Sequence, residues 1–273
     1  MAVIITDSTS DLSLAQAEGL GVEMLSLRVN FGNDSYLDKR EITNEDFYKR
    51  LTSSKELPTT SLLNPEDFIK AFNQHPDEEI LVITISSELS GTYQSAVLAK
   101  EMLGRTDIYL VDSRNASVAL GMLVLLAAKR NKEGMRAKDI AEDLRKLSEK
   151  LRLIGLVDTL RYLVKGGRLT KISGYVGGML NIKPILMIVD GKITPASKAR
   201  GDKDAFAQIV KIVYEQHPMD KSLPAAFSSS CKGMDRLDGL MRALGITAPI
   251  STLGSVLGTH AGPEAMIFAY FET

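Results

Sequence analysis

Apolar runs and polar loops alternate along the chain in an order that predicts strands followed by helices. The clearest example is residues 80–103, ILVITISSELSGTYQSAVLAKEML, which begin with an apolar, largely β-branched run and end in a helical pattern. The polar loop at residues 86–92 lies between the two. Because such a loop places hydroxyls and backbone N–H groups at a sheet edge and a helix N-terminus, it predicts an anion-binding site.

The same order of strand, polar turn and helix occurs twice more. Residues 3–6 precede DSTSDL and a helix at 14–20, and residues 108–111 precede DSRNAS and a long apolar helix at 118–129. Three such units predict a doubly wound, mostly parallel sheet whose loops meet along one edge. Further along, residues 22–31 are predicted as a single strand, followed by a polar hairpin or loop at 32–41.

The pattern changes after about residue 151. Short apolar segments at 153–157, 185–193, 225–228 and 264–271 alternate with helical patterns at 202–214 and 234–244. Asp190-Gly191 between two apolar runs predicts a β-hairpin. The sequence therefore predicts two domains, an N-terminal α/β domain at residues 1–152 and a C-terminal α/β layer with a mixed sheet at 153–273.

Composition excludes several classes of partner. The 273 residues are 44% hydrophobic with a net charge of −1, so nothing attracts the chain to nucleic acid or to an anionic surface. No stretch approaches the roughly 20 apolar residues that span a bilayer, which argues against stable membrane insertion. The short apolar start lacks a basic flank and is interpreted as a first strand, not a signal peptide. A single cysteine, Cys231, fits a reducing cytoplasm, where we expect the protein to act.

The sequence supports no cofactor and no metal site. It contains no phosphate loop, and no Gly-x-Gly-x-x-Gly follows the first strand, so nucleotide binding is not predicted. Asp7, Asp112 and Asp158 each end a predicted strand, but no ligand spacing joins them. The serine-hydrolase elbow Gly-x-Ser-x-Gly is also missing.

Three clusters of hydroxyl side chains precede predicted helices: Ser8-Thr9, Thr60-Ser61 and Ser90 with Thr92. Taken singly, each fits an ordinary helix cap. Three on one predicted sheet edge favour a shared binding site.

Candidate charged and titratable groups leave alternatives open. His260 lies in Gly258-Thr259-His260-Ala261-Gly262-Pro263, which is predicted as a loop able to bring the imidazole to a carboxylate in a cleft, or to serve only structure. Lys165, Arg168 and Lys171 flank a Gly-Gly turn and fit a phosphate clamp or a solvated turn equally well.

Five sequence blocks stand in a characteristic order and spacing: ITDSTSDL at 5–12, PTTS at 58–61, ISSELSGTYQSA at 85–96, VDS at 111–113 and LRYLVKGGRL at 160–169. Together they resemble the DegV family, and the resemblance covers essentially the whole chain. The resemblance implies a bacterial fatty-acid-binding protein of two α/β domains that encloses the acyl chain and has no catalytic apparatus of its own. It further implies a partner, the ATP-dependent subunit of a fatty acid kinase, which phosphorylates the carboxylate.

The resemblance also assigns residues. Thr60, Ser90 and His260 would contact the carboxylate, with Ser61 and Gly91 nearby. Arg200, and with it Arg168, would face the kinase subunit. One departure is that Leu62-Leu63-Asn64-Pro65 follows Thr60-Ser61 where the family commonly has Gln-Pro-Ser, which removes a polar neighbour of the head group.

Two rival functions come from other classes. An enzyme acting on a small carboxylate or acyl ester, a serine-dependent hydrolase or acyltransferase, would use Ser90 as nucleophile and His260 as base. A lipid store without a kinase partner would not depend on Arg200. Candidate tunnel residues, each of which could equally be ordinary core, are Leu62, Met122, Leu125, Met179, Leu180 and Ile267.

Overall fold

The computed structural model describes residues 1–169 and 182–273. The strands in these residues are β1 (Val3–Asp7), β2 (Val22–Leu25), β3 (Arg28–Phe31), β4 (Asp34–Leu37), β5 (Thr59–Ser61), β6 (Ile80–Thr84), β7 (Ile108–Asp112), β8 (Leu151–Leu156), β9 (Ile182–Val189), β10 (Lys192–Arg200), β11 (Ala226–Ser229), β12 (Ile250–Thr252) and β13 (Met266–Phe271).

The helices in the same residues are α1 (Leu14–Leu20), α2 (Asn44–Ser53), α3 (Pro65–Asn73), α4 (Thr92–Leu103), α5 (Ser117–Lys132), α6 (Ala137–Lys150), α7 (Arg161–Lys165), α8 (Gly201–Lys211), α9 (Met234–Leu244) and α10 (Ser255–Ala261). A 3-10 turn at Ser8–Ser10 follows β1, and α8 continues into a π-helical turn at Ile212–Gln216. No helix in the described ranges is both long and apolar enough to cross a membrane.

A four-stranded parallel sheet has the order β2-β1-β6-β7. Its strands are apolar on both sides because helices cover both faces. On β6, Leu81 and Ile83 pack into the core that contains α5 and α6, whereas Ile80 and Val82 pack against α3 and α4. The doubly wound sheet predicted from the repeated strand–turn–helix pattern is confirmed.

A six-stranded mixed sheet has the order β10-β9-β8-β13-β11-β12, in which β11 and β12 are parallel and the other pairs antiparallel. The Asp190-Gly191 hairpin is confirmed, since Val189 pairs with Lys192. On β13, Phe268 packs against α8 and α9. The adjacent residue Ile267 points to the other face of the sheet and packs into the core that contains α5. The predicted fold class is therefore confirmed. β8 begins at Leu151, and the division into 1–152 and 153–273 remains a prediction.

The single strand predicted at residues 22–31 is wrong. The chain forms β2 in the parallel sheet, breaks at Ser26-Leu27, and continues as β3 in a separate antiparallel sheet of order β4-β3-β5. The backbone N–H of Leu27 donates to Ser8 Oγ (3.2 Å). The alternation of apolar and polar residues shifts by one position at Met24-Leu25, beside the break. A β-bulge within a single strand gives the same shift, so periodicity alone did not reveal that the chain changes sheets.

The loop predicted around His260 is also wrong, because His260 lies on α10. The start of this helix is held by two buried carboxylates from distant parts of the chain. Asp38 Oδ1 accepts hydrogen bonds from Ser255 N (3.1 Å) and Ser255 Oγ (2.6 Å), and Asp11 Oδ1 accepts one from Gly254 N (3.0 Å). These long-range caps stabilise a glycine-rich segment that local propensity does not favour.

We expect Gly121→Ala to destabilise the protein. Alanine normally gains up to about 1 kcal/mol over glycine inside a helix, but here its Cβ would lie 2.5 Å from the backbone oxygen of Ser10. Moving that backbone costs about 1–3 kcal/mol, which outweighs the gain in helix propensity. Urea unfolding measures the free-energy change.

Gly19→Ala in α1 is the matched control, since nothing lies within 4 Å of a Cβ at that position. It should stabilise the protein slightly. If Gly121→Ala and Gly19→Ala both shift the urea midpoint in the same direction, the close approach of α5 to Ser10 is contradicted.

Candidate functional site

A largely apolar cavity lies between the carboxyl edge of the four-stranded sheet and the core-facing side of the six-stranded sheet. The loops after β6 and β7 close one side, and α7 and α10 close another. Its apolar lining residues are Leu27, Leu62, Ile85, Leu89, Ala116, Leu153, Val157, Leu163, Leu186, Met187, Ile188, Ile193, Leu253, Val256, Leu257, Ala261, Ala265 and Ile267.

Five polar side chains of the described residues line the cavity, and four of them lie near α7 and α10; the fifth, Ser117 at the start of α5, donates its hydroxyl to Asp11 Oδ2. Thr60 on β5, Ser90 before α4 and His260 on α10 all line the cavity. A hydrogen bond of 2.9 Å joins Thr60 Oγ1 and His260 Nε2, and another of 2.9 Å joins Ser90 Oγ and Thr92 Oγ1. The structure thus places these three predicted site residues on one cavity. Their role in carboxylate binding remains a prediction.

Ser61 and Gly91 do not line the cavity. Neighbouring residues of a strand point to opposite sides, so Ser61 faces away from the cavity that Thr60 lines. Ser61 is exposed, and its hydroxyl accepts a hydrogen bond from Asn30 Nδ2 (3.0 Å). Gly91 precedes α4 and is exposed; a Cβ there would lie 3.0 Å from Leu62 Cδ2. Both are near the site, but neither presents a side chain to it.

Arg168 lines the cavity with the polar residues. Its Nε donates to the Leu89 carbonyl (3.1 Å) and its Nη1 to the Gly166 carbonyl (2.7 Å), and burial lowers the pKa of the guanidinium. No carboxylate in the described ranges forms an ion pair with it. Arg168 therefore supplies a positive charge to the cavity that no carboxylate of residues 1–169 or 182–273 compensates, whereas Arg200 is exposed at the end of β10.

The imidazole of His260 is neutral at neutral pH. Burial lowers its pKa to about 4, and the positive charge of Arg168 acts in the same direction. Nε2 bonds with Thr60, whereas Nδ1 is buried and has no hydrogen-bond partner within residues 1–169 and 182–273. A neutral imidazole with one free nitrogen can orient a hydroxyl but cannot form an ion pair.

The first hydroxyl cluster is not part of this site. Asp7 caps the turn after β1, because its Oδ1 accepts a hydrogen bond from Thr9 N (2.9 Å), and its Oδ2 accepts one from Ile85 N (2.7 Å). Burial raises the pKa of Asp7. This cluster therefore fixes the start of the loop that carries Ser90. Of the other two clusters, Thr60 and Ser90 line one cavity, and their sharing of a binding site remains a prediction.

The three aspartates that end strands bind different partners. Asp112 accepts from Ser87 Oγ (2.6 Å), and Asp158 pairs with Lys183 Nζ (2.7 Å), while Asp7 holds Thr9 and Ile85. In the part of the chain that the structure describes, no group of His, Cys, Asp or Glu is arranged to hold a metal ion.

The candidate tunnel residues lie in different parts of the structure, and their role remains a prediction. Leu62 and Ile267 line the cavity, but Met122 and Leu125 lie in a separate cleft beside α5. Met179, Leu180 and Lys171 lie outside the described residues. Leu153 and Gly155 of β8 alternate along the strand, so strand periodicity could have found them. The other strands show no such pattern, because β9 contributes the consecutive residues Leu186–Ile188 and β13 only Ile267. The lining residues of α10 could not be found because that segment was predicted as a loop.

Fold and cavity together define an α/β protein that encloses an apolar space with one polar end. The sequence profile described as "Uncharacterised protein, DegV family" matches residues 1–273. The chain therefore belongs to the DegV family, as its sequence blocks indicated.

Similar proteins extend over nearly the full chain. A DegV domain-containing protein from Caldanaerobacter subterraneus is 34% identical over 268 residues, covering 96% of this chain and 95% of its own. A protein of Thermotoga maritima named fatty acid-binding protein is 32% identical, covering 97% and 96%.

A solved DegV family structure from Thermus thermophilus, described for its fatty acid binding, is 31% identical with a TM-score of 0.87, covering 100% of this chain and 99% of its own. Relatives whose names state a function are called fatty-acid-binding or lipid-binding proteins, not enzymes.

The buried His260 should make stability depend on pH. Its pKa of about 4 in the folded protein lies below the reference value of 6.5, so between these values the unfolded chain binds a proton that the folded chain does not. The free energy of unfolding should therefore fall by about 3 kcal/mol as pH drops from 6.5 to 4.

His260→Gln is the control because it keeps a polar side chain but cannot titrate. Urea unfolding of both proteins at several pH values isolates the effect as the pH-dependent part of their difference. Parallel pH profiles for the two proteins would contradict the buried, neutral imidazole.

Proposed function

We propose that this protein binds a long-chain fatty acid, with its acyl chain in the apolar cavity and its carboxylate at Thr60, Ser90 and His260. The observation that carries the proposal is the separation within one cavity of an extended apolar lining from a small polar end. A ligand with one apolar chain and one anionic head matches that separation. Membership of a family with fatty-acid-binding members supports the same ligand class.

The apolar lining accounts for affinity. Each buried methylene is worth roughly 0.8 kcal/mol, so a long acyl chain gains on the order of 10 kcal/mol before ordering costs. Gly155 contributes space, because it lines the cavity from β8 and no atom of the described residues would lie within 4 Å of a Cβ at this position. Two residues beside Gly155 line the cavity with it: Leu153, two positions earlier on β8, and Ile267, which pairs with Gly155 from β13.

The polar end offsets the carboxylate's lost hydration. Hydroxyls of Thr60 and Ser90 supply hydrogen bonds, and the guanidinium of Arg168 supplies the opposite charge. Arg168 thus acts at the head group in this proposal, in addition to the kinase-facing role that the family resemblance implies for it.

The rival reading as a serine-dependent enzyme fits the geometry poorly. Ser90 Oγ bonds with Thr92, and His260 Nε2 bonds with Thr60, so no hydrogen bond between Ser90 and His260 is formed in the described structure. No acid within those residues orients Nδ1. A nucleophile needs an adjacent base that is itself oriented by a third group.

We further propose that the bound carboxylate is presented to a separate ATP-dependent kinase subunit in the cytoplasm. In that reaction the carboxylate oxygen attacks the γ-phosphorus of ATP, releasing ADP and forming an acyl phosphate. Arg200 is exposed at the end of β10, its N–H donates to Asp204 Oδ2 (2.8 Å), and its side chain forms no ion pair in the described ranges. A free guanidinium suits contact with an acidic partner surface or with ATP.

We expect native mass spectrometry of the protein purified from a bacterial host to show one long-chain fatty acid per chain. Gly155→Leu should displace it or shorten the bound chain, since the new side chain occupies about four carbon positions and removes roughly 3 kcal/mol of methylene burial. Gly155→Ala is the matched control and should keep the wild-type ligand.

A wild-type protein that is empty, or that holds a short polar metabolite, would overturn fatty-acid binding. Identical ligands in the wild type and in a folded Gly155→Leu variant would instead show that the acyl chain lies elsewhere.

Arg200→Ala should leave fatty-acid binding intact and lower acyl phosphate formation at least about tenfold, because one charged contact is worth a few kcal/mol. The assay combines loaded protein, ATP and the purified kinase subunit of the same bacterium, with hydroxylamine trapping the product. Lys203→Ala, an exposed cation three residues away, is the control. Unchanged turnover in Arg200→Ala would contradict the role of Arg200 in the kinase contact, whereas a wild-type protein that gives no acyl phosphate would favour the lipid-store alternative.

A further inference from the structure

The two glycines after α7 are there for different physical reasons. Gly167 has a φ of 73°, a left-handed conformation that favours glycine, and nothing lies within 4 Å of a Cβ built on it. Gly166 has an ordinary helical conformation, with φ −73° and ψ −8°. Any residue adopts that conformation, so the backbone does not explain a glycine at position 166.

Space explains it. A Cβ on Gly166 would lie 2.2 Å from His260 Nδ1 and 2.8 Å from His260 Cε1. The turn is held on both sides, because Gly166 N donates to the Tyr162 carbonyl (2.8 Å) and Arg168 N to the Leu163 carbonyl (3.0 Å). The imidazole therefore packs directly on the Gly166 backbone, and only glycine permits that contact.

This contact discriminates between the two neutral tautomers of His260. Since a Cβ lies about 1.5 Å from its Cα, the Gly166 Cα is within about 3.7 Å of Nδ1. A lone pair on Nδ1 can accept a weak C–H contact at such a distance, whereas an N–H there would be buried against the Gly166 backbone with no acceptor among the described residues. The proton is therefore more stable on Nε2.

The tautomer decides what Thr60 offers to a ligand. With the proton on Nε2, His260 donates to Thr60 Oγ1 across 2.9 Å, and the threonine hydroxyl keeps its own proton for another acceptor. With the proton on Nδ1, Thr60 would have to donate to His260. Its oxygen would then present only lone pairs to a carboxylate.

We infer that Gly166 is a positioning residue: it holds His260 as the Nε2–H tautomer, so that His260 directs the Thr60 hydroxyl proton toward the ligand's carboxylate. This inference rests on the proposed fatty-acid binding and assigns the direction of each hydrogen bond within that site. His260 then acts through Thr60 and not as a cation.

The first test compares palmitate binding to delipidated wild-type, Gly166→Ala and Gly167→Ala proteins by calorimetry. Gly166→Ala should bind palmitate about tenfold or more weakly, because the displaced imidazole no longer orients Thr60. Gly167→Ala is the matched control, since it strains the backbone without approaching His260, and it should keep near wild-type affinity. Equal affinity in folded Gly166→Ala and wild-type proteins would overturn the role of Gly166.

The second test needs no variant and remains informative if Gly166→Ala does not fold. Nitrogen-15 NMR of histidine-labelled wild-type protein at pH 7 distinguishes a protonated Nδ1 from a protonated Nε2, and we expect the proton on Nε2. A protonated Nδ1 together with normal palmitate binding would overturn this inference alone. A protein that binds no palmitate would overturn the proposed function, and with it this role for Gly166.

Discussion

Two buried carboxylates at the start of α10 are the constraint on which the site depends. Asp38 and Asp11 come from the first forty residues, yet they cap a helix that lies near the end of the chain. Burying a carboxylate is costly unless donors compensate it, and burial indeed raises the pKa of Asp11. Ser117, Ser228 and the Gly254 N–H supply those donors.

The contacts at the start of α10 also bring the N-terminal and C-terminal parts of the cavity wall together. Tyr48 donates to the Leu253 carbonyl (3.0 Å), and a Cβ on Gly258 would lie 2.7 Å from both Phe47 and Tyr48. Helix α10 is therefore seated against α2 on one side while Val256, Leu257 and His260 face the cavity on the other. Thr60, more than 190 residues earlier in the chain, meets His260 because of this docking.

The sequence revealed the elements whose signal is local. Strand–turn–helix repeats and the Asp190-Gly191 turn carry their periodicity and turn chemistry within about ten residues, and both were predicted. The break at Leu27 and the helix that carries His260 depend on Ser8, Asp11 and Asp38, which are distant in sequence. No local pattern contains those contacts.

Within the site, Thr60, Ser90 and His260 were named by family resemblance, and the structure brings them to one cavity, while Ser61 and Gly91 stay outside it. The steric reason for Gly166 could not be read from a Gly-Gly pair. It depends on the imidazole of residue 260 lying against a turn that ends nearly a hundred residues earlier.

The charge balance of the polar end follows from the neutral state of His260. A protonated imidazole beside Arg168 would place two positive charges in a desolvated cavity, and the low pKa of His260 reflects that cost. With a neutral imidazole the described lining residues offer one positive charge, that of Arg168, which matches a single carboxylate. In the proposed kinase reaction the product carries additional negative charge, and no second cation among the described lining residues compensates it, so this part of the lining is better suited to the substrate than to the product.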